Sequence, residues 1–321
     1  MKKMFIKDIK SGDRIDEVFV LSEKTMGQKK DGNNFLNIAI ADKTGTIKGV
    51  VWDDVNQAAS LVQAGDFVHL QGHVSEYRND LQLVVKKMAP VNADSVDPSD
   101  FLPATGRDVN QMFQRVVALT DAMAEGHLKL LLHAFWNDAG FVKQFKTAPA
   151  AKKMHHAYIG GLLEHTLSVA LLVDRIAGHY SGIDMDLLLT GAILHDIGKI
   201  REFEYSRRLD YSDEGRLLSH IVIGVQMIEE KICRVENFPE ELALLLKHLV
   251  VSHHGSREFG SPEVPKTIEA VLLNYIDEID SKVTGIRNFM AAEDPNEPWT
   301  GYHRLLGRHF FKTSFSAVRD T

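Results

Sequence analysis

One cysteine, Cys233, stands in a chain of 321 residues. Its solitude excludes an internal disulfide and any thiolate-rich zinc cluster, leaving imidazole and carboxylate as the available metal-binding chemistry. No run of about 18 uncharged apolar residues occurs, so no membrane-spanning helix is predicted and no membrane partner is expected. The basic start Met1-Lys2-Lys3 is not followed by an apolar stretch, because Asp8, Lys10, Asp13, Arg14 and Asp16 interrupt it, so a cytoplasmic protein is expected. Internal repeats and low-complexity tracts are missing as well. A strong excess of one charge is also lacking: 37 Lys and Arg stand against 44 Asp and Glu, for a net −7. That balance argues against a nucleic-acid partner only until it is divided along the chain. Residues 1–92 are net +1, with 13 basic and 12 acidic side chains, and the remainder is net −8. An acidic body of this kind suits a site loaded with divalent ions, which offset local carboxylate charge. At this length, with 44% hydrophobic residues, two domains with sizeable cores are expected.

Residues 19–91 read as short alternating strands separated by turn residues. Residues 35–40 alternate, Asp42-Lys43-Thr44-Gly45 turns, and residues 46–52 return. A short helix follows over 57–62, then strands over 66–72 and 80–85 on either side of a turn at Arg78-Asn79. Five strands with a helix after the third match the OB-fold, a small antiparallel barrel, here assigned to residues 1–92. Such barrels bind single strands through a basic groove and exposed aromatic faces on which bases stack. Trp52, Tyr77 and Arg78 are the leading nucleic-acid contacts, with Lys30 in the loop between the first two strands. Lys24, Lys29, Lys48, Lys86 and Lys87 are further phosphate candidates, whereas Phe35 and Phe67 are expected to fill the barrel. Residues 93–107, with Asp94, Asp97, Pro98, Asp100 and Pro103, read as a linker because Pro and Asp punctuate regular structure.

Beyond the linker the period becomes helical. Helices are predicted over 109–123, 128–136, 139–146, 164–180, 185–195, 220–231, 240–252, 267–288 and 303–311, with a short hairpin near 205–211. The expected whole is multidomain: an all-β OB-fold barrel followed by an all-α domain over 108–321. In the helical part, Leu163-Glu164-His165-Thr166 and Ile193-Leu194-His195-Asp196-Ile197-Gly198-Lys199 place His, His and Asp among apolar residues. A protonated or unpaired polar group is costly there, and a metal ion is the leading compensation. His220, the pair His253-His254, and Asp277 with Asp280 follow. Mixed imidazole and carboxylate donors suit Mn, Fe, Co, Ni or Zn, and an array this rich is large enough for one ion or two.

The order H…HD…H…H…D resembles the HD-domain metal-dependent phosphohydrolases. An OB-fold followed by an HD domain containing His155-His156-Ala157-Tyr158-Ile159-Gly160-Gly161-Leu162-Leu163-Glu164-His165-Thr166 resembles the YhaM family of bacterial 3′-to-5′ exoribonucleases, over nearly the whole chain. The resemblance implies a first metal on His165, His195, Asp196 and Asp277, and a second on His220 with His253 or His254. Asp280 is the alternative to Asp277. It also implies a Mn2+- or Co2+-favouring enzyme, with Fe2+, Ni2+ or Mg2+ as alternatives, that cuts single-stranded RNA, and single-stranded DNA as a further substrate, to nucleoside monophosphates, often as a homo-oligomer. Asp196 is expected to bridge two ions, Lys199 to neutralise the phosphate or cap a helix, and His156 to contact the terminal phosphate or leaving oxygen. The rival readings are an HD phosphohydrolase of a small nucleotide and a non-catalytic single-strand-binding module.

Overall fold

The computed structural model describes residues 2–29, 32–77, 80–92, 95–152, 156–177, 179–205 and 209–312. They divide into two units: residues 1–106 with 203–212, and residues 107–202 with 213–321.

In the first unit, β1 (Arg14–Gln28), β2 (Asn34–Asp42), β3 (Gly45–Val51), β4 (Phe67–Tyr77) and β5 (Asp80–Pro90) close a barrel in the order β1-β2-β3-β5-β4. The side-chain period of two drives closure: Leu36, Ile38 and Ile40 of β2 point inward with Ile15, Phe19, Val68, Leu70, Leu83 and Val85. The long β1 pairs with both β2 and β4, and a register shift between Leu21 and Glu23 lets it turn the corner. Helix α1 (Val55–Leu61) follows β3 and seals the core with Val55 and Ala58.

Two aromatic rings depart from the sequence reading. Phe67 pairs with Val20 on the outer face of the strands, and both pack on Phe101 in a separate cluster. Its neighbour Val68 takes the inward place, because adjacent strand residues face opposite sides. Phe35 likewise lies outside the barrel core and packs on Trp52 with ring centroids 5.2 Å apart. Lys24 is no phosphate contact either: its Nζ donates to the carbonyls of Ala59 and Val62 at 2.7 Å, satisfying the end of α1.

The second unit is helical: α2 (Val109–Asp121), α3 (Gly126–Trp136), α4 (Ala139–Thr147), α5 (Gly161–Ala177), α6 (Met185–Leu194), α7 (Lys199–Glu202), α8 (Asp213–Ile232), α9 (Glu240–Ser252) and α10 (Ile268–Ala292). Side-chain caps start several of them; Asp108, Asp138, Asp184 and Thr267 each accept a first-turn backbone N–H. Helix α6 is apolar beyond its first turn except for Thr190, whose hydroxyl donates to the Asp186 carbonyl, and Leu187, Leu188, Gly191, Ala192, Ile193 and Leu194 are buried, so it forms the central rod against α5, α9 and α10. Strands β6 (Phe203–Glu204) and β7 (Asp210–Tyr211), which are grouped with the first unit, form the short hairpin. The helix predicted over 303–311 does not form. Isolated bridges join Trp299 to Phe311 and His303 to Arg308, and Gly307 turns the chain with φ 64° between the latter two. No helix among the described residues is long and apolar enough to cross a membrane.

Candidate metal centre

The central rod ends where the chemistry begins. His165 lies fully buried on α5, facing the end of α6, where the backbone continues into His195 and Asp196, also buried. The chain then turns at Gly198, where a Cβ would sit 1.9 Å from the carbonyl oxygen of His220. Only glycine permits that approach, which seats the His195-Asp196 turn against the segment bearing His220. Helix α8 is itself broken at Ser219, whose φ of 63° lies in the left-handed region. The break leaves the His220 N–H outside the helical ladder, and Glu202 Oε1 accepts it at 2.9 Å. His253 and His254 follow directly on the end of α9, and Asp277 and Asp280 lie one turn apart on α10.

Each imidazole is tethered through Nδ1. His165 Nδ1 meets Asp280 Oδ2 at 2.8 Å, and His220 Nδ1 meets Glu202 Oε1 at 2.9 Å. The Nδ1 atoms of His195, His253 and His254 reach the carbonyls of Ala192 (2.9 Å), Val250 (2.6 Å) and Phe259 (3.0 Å). Such tethers fix ring orientation and leave Nε2 for a metal. Asp196 stands between two sets of these nitrogens. Its Oδ2 is 3.5 Å from His165 Nε2 and 3.4 Å from His195 Nε2, while Asp277 Oδ1 is 3.2 Å from His165 Nε2. Its Oδ1 is 3.5 Å from His220 Nε2 and 3.7 Å from His253 Nε2. His165, His195 and Asp277 form one group able to hold an ion; His220, His253 and His254 form another; a third, His156, His165 and Asp280, is already joined by hydrogen bonds through Asp280 Oδ2.

Asp196 Oδ1, His220 Nε2 and His253 Nε2 are buried without a hydrogen-bond partner. Three orphaned acceptors aimed at one another are costly in an apolar interior unless a cation satisfies them, so the residues fit divalent metal. The electrostatics agree. Burial, with His254 and His195 nearby, holds the His253 imidazole well below its ordinary value, and burial lowers His254 too. Both therefore keep the neutral form that binds metal. Burial would raise the Asp196 carboxyl, but Lys199 and His195 hold it well below the usual carboxylate range.

The other sequence candidates take definite places. Lys199 Nζ donates to Asp196 Oδ2 at 2.6 Å and is buried with it. His156 is buried with both ring nitrogens engaged, Nδ1 with the Tyr158 hydroxyl at 2.8 Å and Nε2 with Asp280 Oδ2 at 3.2 Å. Asp280 therefore stands behind His165, and Asp277 faces the candidate ion positions. On the barrel, Trp52 is partly exposed with Lys29 Nζ 4.6 Å above its ring, and Tyr77 is exposed. Lys30, Arg78 and His155 lie outside the described residues. The sequence reading missed Glu202, one acid among several near Lys199; only its burial beside His220 marks it.

A family model described as HD domain matches residues 162–282, and one described as an OB-fold nucleic acid binding domain matches residues 19–91. A "3'-5' exoribonuclease YhaM" from Bacillus velezensis is 32% identical over 305 residues, covering 95% of this chain and 96% of that one. A protein of the same name from Geobacillus sp. (strain WCH70) is 32% identical over 308 residues, covering 96% and 94%. This chain belongs to the YhaM family of 3′-5′ exoribonucleases. The YhaM-family chain thus carries a hydrolytic HD domain that contains every candidate ligand from His165 to Asp277, preceded by an OB-fold that contains Trp52 and Tyr77. Among solved structures, the second OB-fold domain of replication protein A from Methanococcus maripaludis aligns with 30% of this chain and all of its own, at 20% identity and a TM-score of 0.24.

Proposed function

We propose that this chain removes nucleoside monophosphates stepwise from the 3′ end of single-stranded RNA, and of single-stranded DNA as a secondary substrate, with one or two divalent ions held on His165, His195, Asp196, His220, His253, His254 and Asp277. The observation that carries the reading is Asp196, whose two oxygens face two separate sets of imidazole nitrogens, one of them orphaned. A bound ion, Mn2+ first among the candidates, supplies Lewis acidity toward a phosphate oxygen and toward water.

The chain's own residues supply the rest. The Nδ1 tethers hold five Nε2 atoms in place before substrate arrives, so little reorganisation accompanies reaction. Lys199 keeps its proton because Asp196 outweighs the effect of burial, and in this reading its positive charge, held 2.6 Å from Asp196 Oδ2, offsets the negative charge that develops on the phosphate. His156 is less suited to touch substrate than the sequence alone implies, since both its nitrogens are engaged; it braces Asp280. On the barrel, the Trp52 ring with Lys29 above it and the exposed Tyr77 are the surfaces for bases and phosphates. Homo-oligomer assembly belongs to the same reading, and the exposed Trp299, Leu305 and Phe311 supply apolar surface for it.

The test is a time course on 5′-labelled single-stranded RNA with Mn2+, run on a denaturing gel beside Asp196→Asn. A ladder shortening from the 3′ end, absent with the variant, is expected. Uncut RNA retained by the protein would sink the reading in favour of a binding module. Cleavage of free nucleotides alone would favour a small-nucleotide phosphohydrolase.

A further inference from the structure

Behind the metal centre lies a cavity of about 410 Å³ that the proposed chemistry does not use. Asp280 and His156 form its wall toward the centre. Asp280 meets His165 at Nδ1, whereas Asp196 and Asp277 face its Nε2, so the cavity and the centre around Asp196 lie on opposite sides of that imidazole. Leu172, Ile279 and Val283 give the cavity an apolar side, with the ring of Tyr158 beside them.

The acids in this cavity are engaged. Asp280 accepts hydrogen bonds from His165, His156 and Ser168. Glu164 accepts from the Tyr158 hydroxyl at 3.1 Å and pairs with Arg107 at 3.8 Å. The donors farther along α10 from Asp280 are not engaged: the side chains of Thr284, Arg287 and Asn288, within one turn, have no partner among the described residues. A cavity with saturated acceptors, uncommitted donors and two guanidinium groups selects an acceptor-rich anion. Guanidinium groups favour phosphate because their planar N–H fork matches two of its oxygens. The volume falls in the range of small-molecule sites, of about 300–1,000 Å³, and exceeds what a bare phosphate fills.

We propose that this cavity binds a nucleoside monophosphate, with Arg287 and Arg107 at the phosphate and Leu172, Ile279, Val283 and Tyr158 along the sugar and base. A ligand seated there touches the metal centre through one carboxylate, Asp280. Binding is independent of the exonuclease reading, although that reaction would release this class of molecule beside the site.

The experiment is calorimetric titration of AMP into the full-length Mn2+-loaded protein, with inorganic phosphate as the second probe. Arg287 is exposed and remote from the candidate ligands, so Arg287→Ala is expected to fold. The Arg287→Ala variant should bind AMP at least about tenfold more weakly, with Arg287→Lys in between. Asp196→Asn should leave AMP affinity within about twofold, and phosphate should bind well below AMP. The proposal is overturned if millimolar AMP gives no binding, or if Asp196→Asn removes binding that Arg287→Ala leaves, which would place AMP on the metal centre. Equal affinity for phosphate and AMP would overturn the nucleoside part, because the apolar side would then be unused.

Discussion

Five imidazoles face the centre through Nε2 because each is held through Nδ1, two by carboxylates and three by backbone carbonyls. The carboxylate pairs are the more tunable. Removing the Asp280 acceptor frees the His165 ring, and losing the hydrogen bond that holds a metal-facing imidazole costs about 10–100-fold in metal affinity. Asp280→Asn is therefore expected to weaken Mn2+ binding by that factor, read by titrating free Mn2+ with electron paramagnetic resonance. A variant that binds Mn2+ as tightly as the parent would show that the tether is dispensable. The same pair sets a pH dependence. Burial opposes charge on His165, but its hydrogen bonds to Asp277 and Asp280 win, and its pKa is pushed up to about 9 in the metal-free protein. A histidine raised above its unfolded value stabilises the fold below about 6.5 and loses that contribution as pH rises through the folded value. Metal-free protein is thus expected to lose up to about 3 kcal/mol of stability between pH 6.5 and 9. Mn2+ must displace the same proton, so calorimetry at pH 7.5 in buffers of different ionisation enthalpy should report release of about one proton. Heats that do not change with buffer would contradict this.

At the scale of elements, the centre depends on two irregularities: the α8 break at Ser219 and the turn at Gly198. A Cβ at Gly198 would overlap the His220 carbonyl, and overpacking of this kind costs about 1–3 kcal/mol. Gly198→Ala is expected to lower the melting temperature and to weaken Mn2+ binding, since His220 must move. Retention of both would show that the two segments can separate harmlessly. The barrel and most helices were legible in the sequence, because Leu36, Ile38 and Ile40 alternate with period two and the rod from Leu187 to Leu194 is apolar but for Thr190. The pair His195-Asp196 was legible for the same reason, polar residues closing an apolar run. What stayed hidden depends on facing and on tertiary contact. Phe35 and Phe67 are apolar either way, and only strand register turns them out of the barrel core. Residues 303–311 carry apolar residues at helical spacing, yet Gly307 turns the backbone instead. Glu202 differs from neighbouring surface acids only in being buried against a histidine, and Asp280, named only as the alternative to Asp277, shows its place behind His165 only through tertiary contact.

The whole molecule separates two kinds of chemistry that the charge division already suggests: a barrel near neutrality, and an acidic helical unit that concentrates buried carboxylates around imidazoles. If the barrel holds the strand and the helical unit cuts it, damage to the barrel surface must appear in binding rather than in the chemical step. Trp52 is the sharpest probe, because its ring is exposed, supported by Phe35 and covered by a cation, and it takes no part in the barrel core. Loss of one stacking platform costs about 1–3 kcal/mol, so Trp52→Ala is expected to raise KM for single-stranded RNA about 5–150-fold. The turnover number at saturating RNA should fall much less, since the groups around Asp196 are untouched. Lys29→Ala should act more weakly and flatten the salt dependence by about 0.7 in the log–log slope, the signature of one phosphate contact on a single strand. A fall in turnover with unchanged KM would instead mean that Trp52 serves the chemical step, and that strand capture lies elsewhere on the molecule.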